Sequence, residues 1–298
     1  MIPLTLVTGF LGTGKTTLLK QIIAKNSDKK LIYVVNEFGT LDIDGQLLPP
    51  DADVVPIPGG SIFCKCLTAT FIEQLQKLHE RYVLEPYDGV VIEASGMANP
   101  MVIRRMLQET RLDTVFTLNQ VITVTDPVSL LKLLKTLPNI HDQIASADVI
   151  LLNKTDIADN DLLLHAHDAI TAINPKATVH HTVNCDMPID LFASQSAIPL
   201  AGEYAKCRDP HYMKMTLRIS DKPSRTRLLN TLHLASEKLY RAKGWVACAE
   251  GPTYVDVASG QINVYPVERM VGDTSAIVII GDGQAAQTLE HQLCSLAC

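Results

Sequence analysis

Residues 9–16 read GFLGTGKT and stand between an apolar run, Leu4–Thr8, and a stretch of helical spacing that opens near Lys15. Strand, glycine-rich loop and helix in that order match G-x-x-x-x-G-K-[ST] in the context the pattern requires. Gly9, Gly12 and Gly14 let backbone N–H groups turn inward around a phosphate, and the helix dipole adds partial positive charge. Lys15 is placed to reach β- and γ-phosphates and Thr16 to hold Mg²⁺, with Thr13 and Thr17 completing the cradle. The competing reading, a strand-to-helix turn with no ligand, leaves this register unexplained.

The loop opens a longer alternation of β-branched runs and helical patterns that continues to about residue 185. Further strands are expected at Leu31–Asn36, Gly89–Glu93, Gln120–Thr125, Asp148–Asn153 and Ala177–Thr182, and further helices begin near Thr68, Pro100, Pro127 and Asp161. Asn99 and Asp126 are N-cap residues, each followed by a proline at the first helical position, where a missing N–H costs nothing. Strands apolar throughout, separated by helices, predict an α/β P-loop fold: a mostly parallel sheet covered on both faces, with ligands at the strands' carboxyl ends. Residues 1–186 are read as this domain and 187–210, with Pro188, Pro199, Gly202 and Pro210, as a linker. Residues 211–298 are read as a small α+β domain, with a strand at Met213–Ile219, a helix over Arg225–Ala242, strands ending in Ala276–Ile280, and a last helix, Gln284–Leu296.

Three more motifs fall at strand ends. LLNKTD, residues 151–156, follows its own apolar strand. Asp156 can accept two hydrogen bonds from the N1–H and exocyclic amine of guanine, a donor pair adenine lacks. Asn153 would hold the base edge and the Lys154 stem would cover the ring. In VVIEASG, residues 90–96, Glu93 offers a carboxylate toward Mg²⁺ and the Gly96 N–H can sense a γ-phosphate; an ordinary helix-capping acid is the alternative. In NEFGTLDID, residues 36–44, Glu37, Asp42 and Asp44 lie in a loop that can swing toward the γ-phosphate as switch segments do, or are simply solvated acids.

GGSIFCKCLT, residues 59–68, places Cys64 and Cys66 after a Gly-Gly turn and before a helix, where the helix terminus and Lys65 favour thiolates. Two thiols make half of a tetrahedral site, which Glu37, water or a second subunit would complete. Incidental cysteines and a redox pair are the other readings. His165 and His167 are expected on a solvated helix face, and His181 and Thr182 in the wall of the base pocket.

A net charge of −6 argues against a nucleic-acid or anionic-lipid footprint. No run of 18 apolar residues suggests a membrane span, and MIPLTLVTGF reads as a first strand rather than a signal peptide. Seven cysteines without regular spacing point to a reducing cytoplasm.

With these motifs in this order, the chain resembles the CobW-like GTPases, relatives of the urease and hydrogenase nickel-insertion GTPases. The likeness runs through TGFLGTGKTTLL (8–19), VVNEFG (34–39), PGGSIFCKC (58–66), VIEASGMANP (91–100), VITVTDP (121–127), IASADVILLNKTDI (144–157), INPKATV (173–179) and RAKGWV (241–246). It implies slow intrinsic GTP hydrolysis coupled to carrying a metal such as Zn²⁺, Co²⁺ or Ni²⁺, or to maturing a metal- or cobalamin-dependent client, often with dimerisation. Many members carry C-x-C-C after the glycine turn. Here Ser61 and Phe63 stand where the first two thiols align, Cys64 remains, Cys66 is added, and Thr40 replaces the acid that often follows N-E-F-G. Cys64 and Cys66 resemble the two-ligand step of the urease and hydrogenase relatives, shared across a dimer. A GTPase switch without metal, acting as a chaperone for a cofactor-dependent enzyme, and a small-molecule kinase are the competing functions. The absence of an Arg-rich lid and the presence of Asp156 weigh against the kinase.

Overall fold

The computed structural model describes residues 1–36, 48–57, 60–65, 67–188, 190–192, 202–204, 212–258, 260–270 and 275–283. The chain divides into two compact units, Met1–Cys207 and Arg208–Cys298.

The first unit is built on seven parallel strands, β1 (Ile2–Thr8), β2 (Leu31–Asn36), β3 (Asp53–Ile57), β4 (Gly89–Glu93), β5 (Phe116–Thr125), β6 (Val149–Leu152) and β7 (Thr178–His181). They lie in the order β3-β2-β4-β1-β5-β6-β7. β2 and β4 are buried at every position, as strands covered on both faces must be. One face packs against Phe71, Leu75 and Leu78 of α2 (Thr68–Leu84) and Ile103, Met106 and Leu107 of α3 (Ile103–Glu109). The other packs against Leu18, Leu19 and Ile22 of α1 (Lys15–Lys25).

The expected caps are present. Asn99 Oδ1 accepts from the Met101 N–H at 3.0 Å and Asp126 Oδ1 from the Ser129 N–H at 2.9 Å. Two elements differ from the sequence reading. β3 was not expected; it carries Pro56, and it lies at the sheet edge, where a residue lacking an N–H is tolerated. The helix from Pro127 is two helices, α4 (Pro127–Thr136) and α5 (Pro138–Ala145). Leu137 is extended (φ −129°, ψ 103°), because the ring of Pro138 disfavours helical geometry in the residue before it. α6 (Asn160–Ile173) then begins behind the Asp159 cap, whose Oδ1 accepts from the Leu162 N–H at 2.8 Å.

Described residues of the 187–210 stretch pack on this unit: Thr5 Oγ1 donates to Leu191 O at 2.8 Å and Tyr204 Oη to Glu109 Oε2 at 2.8 Å.

The second unit has β8 (Tyr212–Arg218), α7 (Arg225–Ala235), β9 (Leu239–Cys248), β10 (Gly251–Ala258), β11 (Gln261–Pro266) and β12 (Ala276–Asp282). The five strands are antiparallel, in the order β11-β10-β9-β12-β8. The expected helix over Arg225–Ala242 stops at Ala235, and Leu239 opens β9 instead. Leu239 shares the core with Leu228 and Leu232, so its burial follows the helical spacing while its backbone belongs to the sheet. The expected helix Gln284–Leu296 lies outside the described residues. Among the described residues, no helix is long and apolar enough to cross a membrane.

Candidate nucleotide site and adjoining cysteine loop

The β1–α1 loop is shaped by glycines, two of which leave no room for a Cβ. Gly9 (φ +131°) would place a Cβ 2.0 Å from Val124 O of β5, and Gly14 (φ +121°) would place one 2.5 Å from Asn153 Nδ2. Gly12 also has positive φ, at 78°. Thr13 Oγ1 and Lys15 Nζ both donate to Phe10 O, at 2.9 and 3.0 Å, so the buried lysine head lies inside its own loop. No side chain caps α1, whose first turn holds Thr16 and Thr17, both partly buried. An anion is the natural partner of those first amides.

Glu93 ends β4 and is 3% exposed. Beyond it Gly96 lies against the phosphate loop: a Cβ there would sit 2.6 Å from the Leu11 backbone nitrogen. Gln143 Nε2 holds this turn from behind, donating to Gly96 O at 3.2 Å and Ala98 O at 2.9 Å. The hydroxyls of Thr8, at the end of β1, and Ser95 are buried without a hydrogen-bond partner. Buried hydroxyls ordinarily find partners, so two orphans beside a glycine-rich loop fit a polar ligand there.

Asn153 follows β6 and is braced on three sides. Its Nδ2 donates to Thr13 O at 2.9 Å, and its Oδ1 accepts from Thr182 Oγ1 at 3.1 Å and the Cys185 N–H at 2.9 Å. Lys154 adopts φ +60°, and its Nζ donates to Gly12 O at 2.7 Å. Asp156 is exposed in the 3₁₀ turn Thr155–Ile157. The sequence reading gave Asn153 to the base edge and the Lys154 stem to the ring; the structure adds that both residues fasten the base loop to the phosphate loop.

Cys185 escaped the sequence reading. It and Asn184 both have φ 54°, a left-handed pair for which the asparagine after a strand end is the available signal. Cys185 Sγ lies 3.4 Å from Gly14 O, and burial pushes its thiol up to about 12, with the Lys154 ammonium opposing. Burial of this kind keeps a thiol protonated and disfavours nucleophilic chemistry.

Glu37 and Cys66, with Asp42 and Asp44, lie outside the described residues. Cys64 is buried, and its carbonyl opens α2, accepting from the N–H groups of Leu67 and Thr68 at 3.1 Å and from Thr68 Oγ1 at 2.7 Å. Among the described residues, no group of three His, Cys, Asp or Glu is placed to hold a metal ion. The structure does bring two histidines together: His167 Nδ1 of α6 and His181 Nε2 of β7 are 3.2 Å apart, although the sequence placed one on a solvated face and the other in a pocket wall. Partial burial and the neighbouring His167 hold the His181 ring below its ordinary value.

A glycine-rich loop on a central strand of a parallel sheet, riveted to an N-K-x-D loop, defines a P-loop nucleotide-binding protein. The chain belongs to the CobW/HypB/UreG family: the family's nucleotide-binding domain matches residues 3–181, and the cobalamin synthesis protein cobW C-terminal domain matches residues 213–297. It is similar to the zinc chaperone YjiA of Escherichia coli, 31% identical over 204 residues, covering 67% of this chain and 63% of that protein. It is also similar to the zinc chaperone CobW of Pseudomonas aeruginosa, 30% identical over 208 residues, covering 59% and 55%. The zinc-regulated GTPase metalloprotein activator 1 of Saccharomyces cerevisiae is 28% identical over 214 residues, covering 63% and 49%. The matches thus span about half to two thirds of these relatives' own lengths. Among solved structures, Zn(II)-bound YjiA GTPase from E. coli aligns over 99% of this chain and 98% of that one, with 22% identity and a TM-score of 0.45.

Proposed function

We propose that this protein is a GTP-binding and GTP-hydrolysing metal carrier that delivers a thiophilic ion to a client metalloprotein or cofactor-dependent enzyme in the cytoplasm. The observation that carries the nucleotide half is the fastening of Asn153 and Lys154 to Thr13 O and Gly12 O, which sets a base loop at a fixed distance from a phosphate loop. Asp156, exposed beside them, selects guanine through its paired acceptors. Lys15 leaves Phe10 O for the β- and γ-phosphates, and the N–H groups of the loop hold the rest of the anion. Thr16 would hold Mg²⁺, with Glu93 and Glu37 toward it; the bound ion supplies positive charge to the phosphate oxygens. Hydrolysis is slow without a trigger. Residues 1–186 form the GTPase domain, 187–210 the linker and 211–298 the CobW-like C-terminal domain.

Kinship with zinc chaperones supports the carrier half and favours Zn²⁺ over Co²⁺ and Ni²⁺ as cargo. Cys64 and Cys66 supply two thiolates, and Glu37 or the same pair from a second copy completes the shell. The test is a Zn²⁺ titration of wild type and a Cys64→Ala/Cys66→Ala variant, with and without a non-hydrolysable GTP analogue. Tighter binding by wild type, strengthened by the analogue, is expected; equal binding by the double variant removes the carrier role. One observation favours a second reading, a GTPase switch whose thiols are structural: Cys64 is buried.

A further inference from the structure

The side chain of Asn36, the last residue of β2, is 3% exposed and spends its whole hydrogen-bonding capacity on backbone. Its Nδ2 donates to Ile57 O at 2.9 Å and Gly60 O at 2.7 Å. Its Oδ1 accepts from the Ile62 N–H at 3.0 Å and the Ser95 N–H at 3.2 Å. A carboxamide offers two donors and two acceptor sites, so none is left over. Its orientation is equally fixed, because a flipped amide would set N–H against N–H and oxygen against carbonyl.

Three of these four bonds go to the segment that ends in the cysteine loop, and the fourth goes to the turn after β4. The fourth is also the longest. On the far side, Ser95 precedes Gly96, which touches the Leu11 backbone of the phosphate loop and is held by Gln143. On the near side, Ile62 and Phe63 are fully buried, Phe63 packs edge-on against Phe71 of α2, and the Cys64 N–H donates to Ser61 O at 3.0 Å. Residues 61–64, Ile62 among them, thus form one hydrogen-bonded, buried turn. A shift of the Ser95–Gly96 backbone either breaks the Ser95 bond or moves Asn36 and the loop with it.

We propose that Asn36 is a positioning residue that couples the nucleotide site to Cys64: displacement of the Ser95–Gly96 turn is passed through Oδ1 to the Ile62 amide and so to the thiol. The inference rests on the carrier reading, in which the turn meets the γ-phosphate and Cys64 meets the cargo. Neither ligand touches Asn36 itself. Its removal acts on the dependence of one binding event on the other, which linkage makes reciprocal.

The experiment measures Zn²⁺ affinity by chelator competition for wild type, Asn36→Ala and Asn36→Asp, each with and without a non-hydrolysable GTP analogue. Wild type is expected to show a nucleotide-dependent change on the order of 10-fold, the ordinary size of such couplings. Asn36→Ala should bring that factor close to one while each ligand alone still binds. Asn36→Asp keeps the acceptor for Ile62 and Ser95 but sets a carboxylate oxygen against two carbonyls, and should reduce the factor in part. A wild-type factor in both variants overturns the inference and leaves the carrier reading intact. No factor in wild type overturns that reading and the inference with it. Should the variants fail to fold, hydrogen exchange of wild type decides: the analogue should alter protection at residues 60–65, and unchanged protection there overturns the proposal.

Discussion

Lys154 Nζ donates to the carbonyl of Gly12 at 2.7 Å, so the loop that would read the base and the loop that would hold the phosphates are joined by a charge-assisted bond. Asn153 adds a second rivet through Thr13 O. Two side chains of one loop thus hold two successive carbonyls of the other.

Asp156→Asn removes a charge-assisted contact to guanine of ~1.5–3 kcal/mol, so GTP affinity should fall roughly 10- to 100-fold. Because Asp156 is exposed, unfolding stability should scarcely change. Calorimetry with GTP and ATP checks both halves; equal binding of the two nucleotides by wild type contradicts guanine selection.

Asn153→Ala behaves differently, since it strips partners from Thr13 O, the Thr182 hydroxyl and the Cys185 N–H in a buried setting. A stability loss of ~1–3 kcal/mol is expected in urea unfolding, accompanied by weaker nucleotide binding. A variant as stable as wild type would show that the brace carries no weight.

Lys15→Ala should lower GTP turnover by about 10²–10³-fold, the usual effect of deleting one donor to developing charge. The lost charged bond to Phe10 O should cost about 1.5–3 kcal/mol of stability. Steady-state phosphate release at saturating GTP, beside a melting curve, separates the two effects.

Gly96→Ala inserts a methyl group where the Leu11 nitrogen is 2.6 Å away, so the phosphate loop must move. Nucleotide binding should fall by more than about 10-fold, as expected when a binding loop loses its set geometry. Titration with a fluorescent GTP analogue gives the readout, and wild-type affinity would place Gly96 outside the site.

The His167–His181 pair carries a pH signature. His181 is held below its ordinary value of 6.5, first by burial and then by His167, so the unfolded chain binds the proton more readily than the folded one. The contribution is intact above 6.5 and is lost as pH falls through the folded value. Urea midpoints measured from about pH 7.5 down to about pH 5 should fall less steeply for His181→Gln than for wild type. Parallel slopes would contradict the pairing.

The motifs, most strands of the first unit and the caps at Asn99 and Asp126 were legible because each depends on residues close in sequence. Three elements were not. β3 hid behind Pro56, which is acceptable only because the strand ended up at an edge, a fact of topology. Leu239 satisfied a helical spacing by sharing a core with α7 from the adjoining strand. The α4–α5 break turned on Pro138, whose effect falls on the residue before it. In the site, Asn36 bonds only to backbone, and backbone partners leave no trace in side-chain pattern. Cys185 likewise supports Asn153 through an amide that any residue but proline would supply.

Phe10 O has a further consequence as the acceptor for both Thr13 and Lys15. The lysine head already faces a carbonyl of its own loop, so an arriving anion would have to draw it away from Phe10 O. A weakly charged ion would gain little from that exchange, whereas a triphosphate tail would engage the loop amides at the same time and offset it. On the proposed function, the loop would thus favour a multiply charged tail over a single small anion such as chloride.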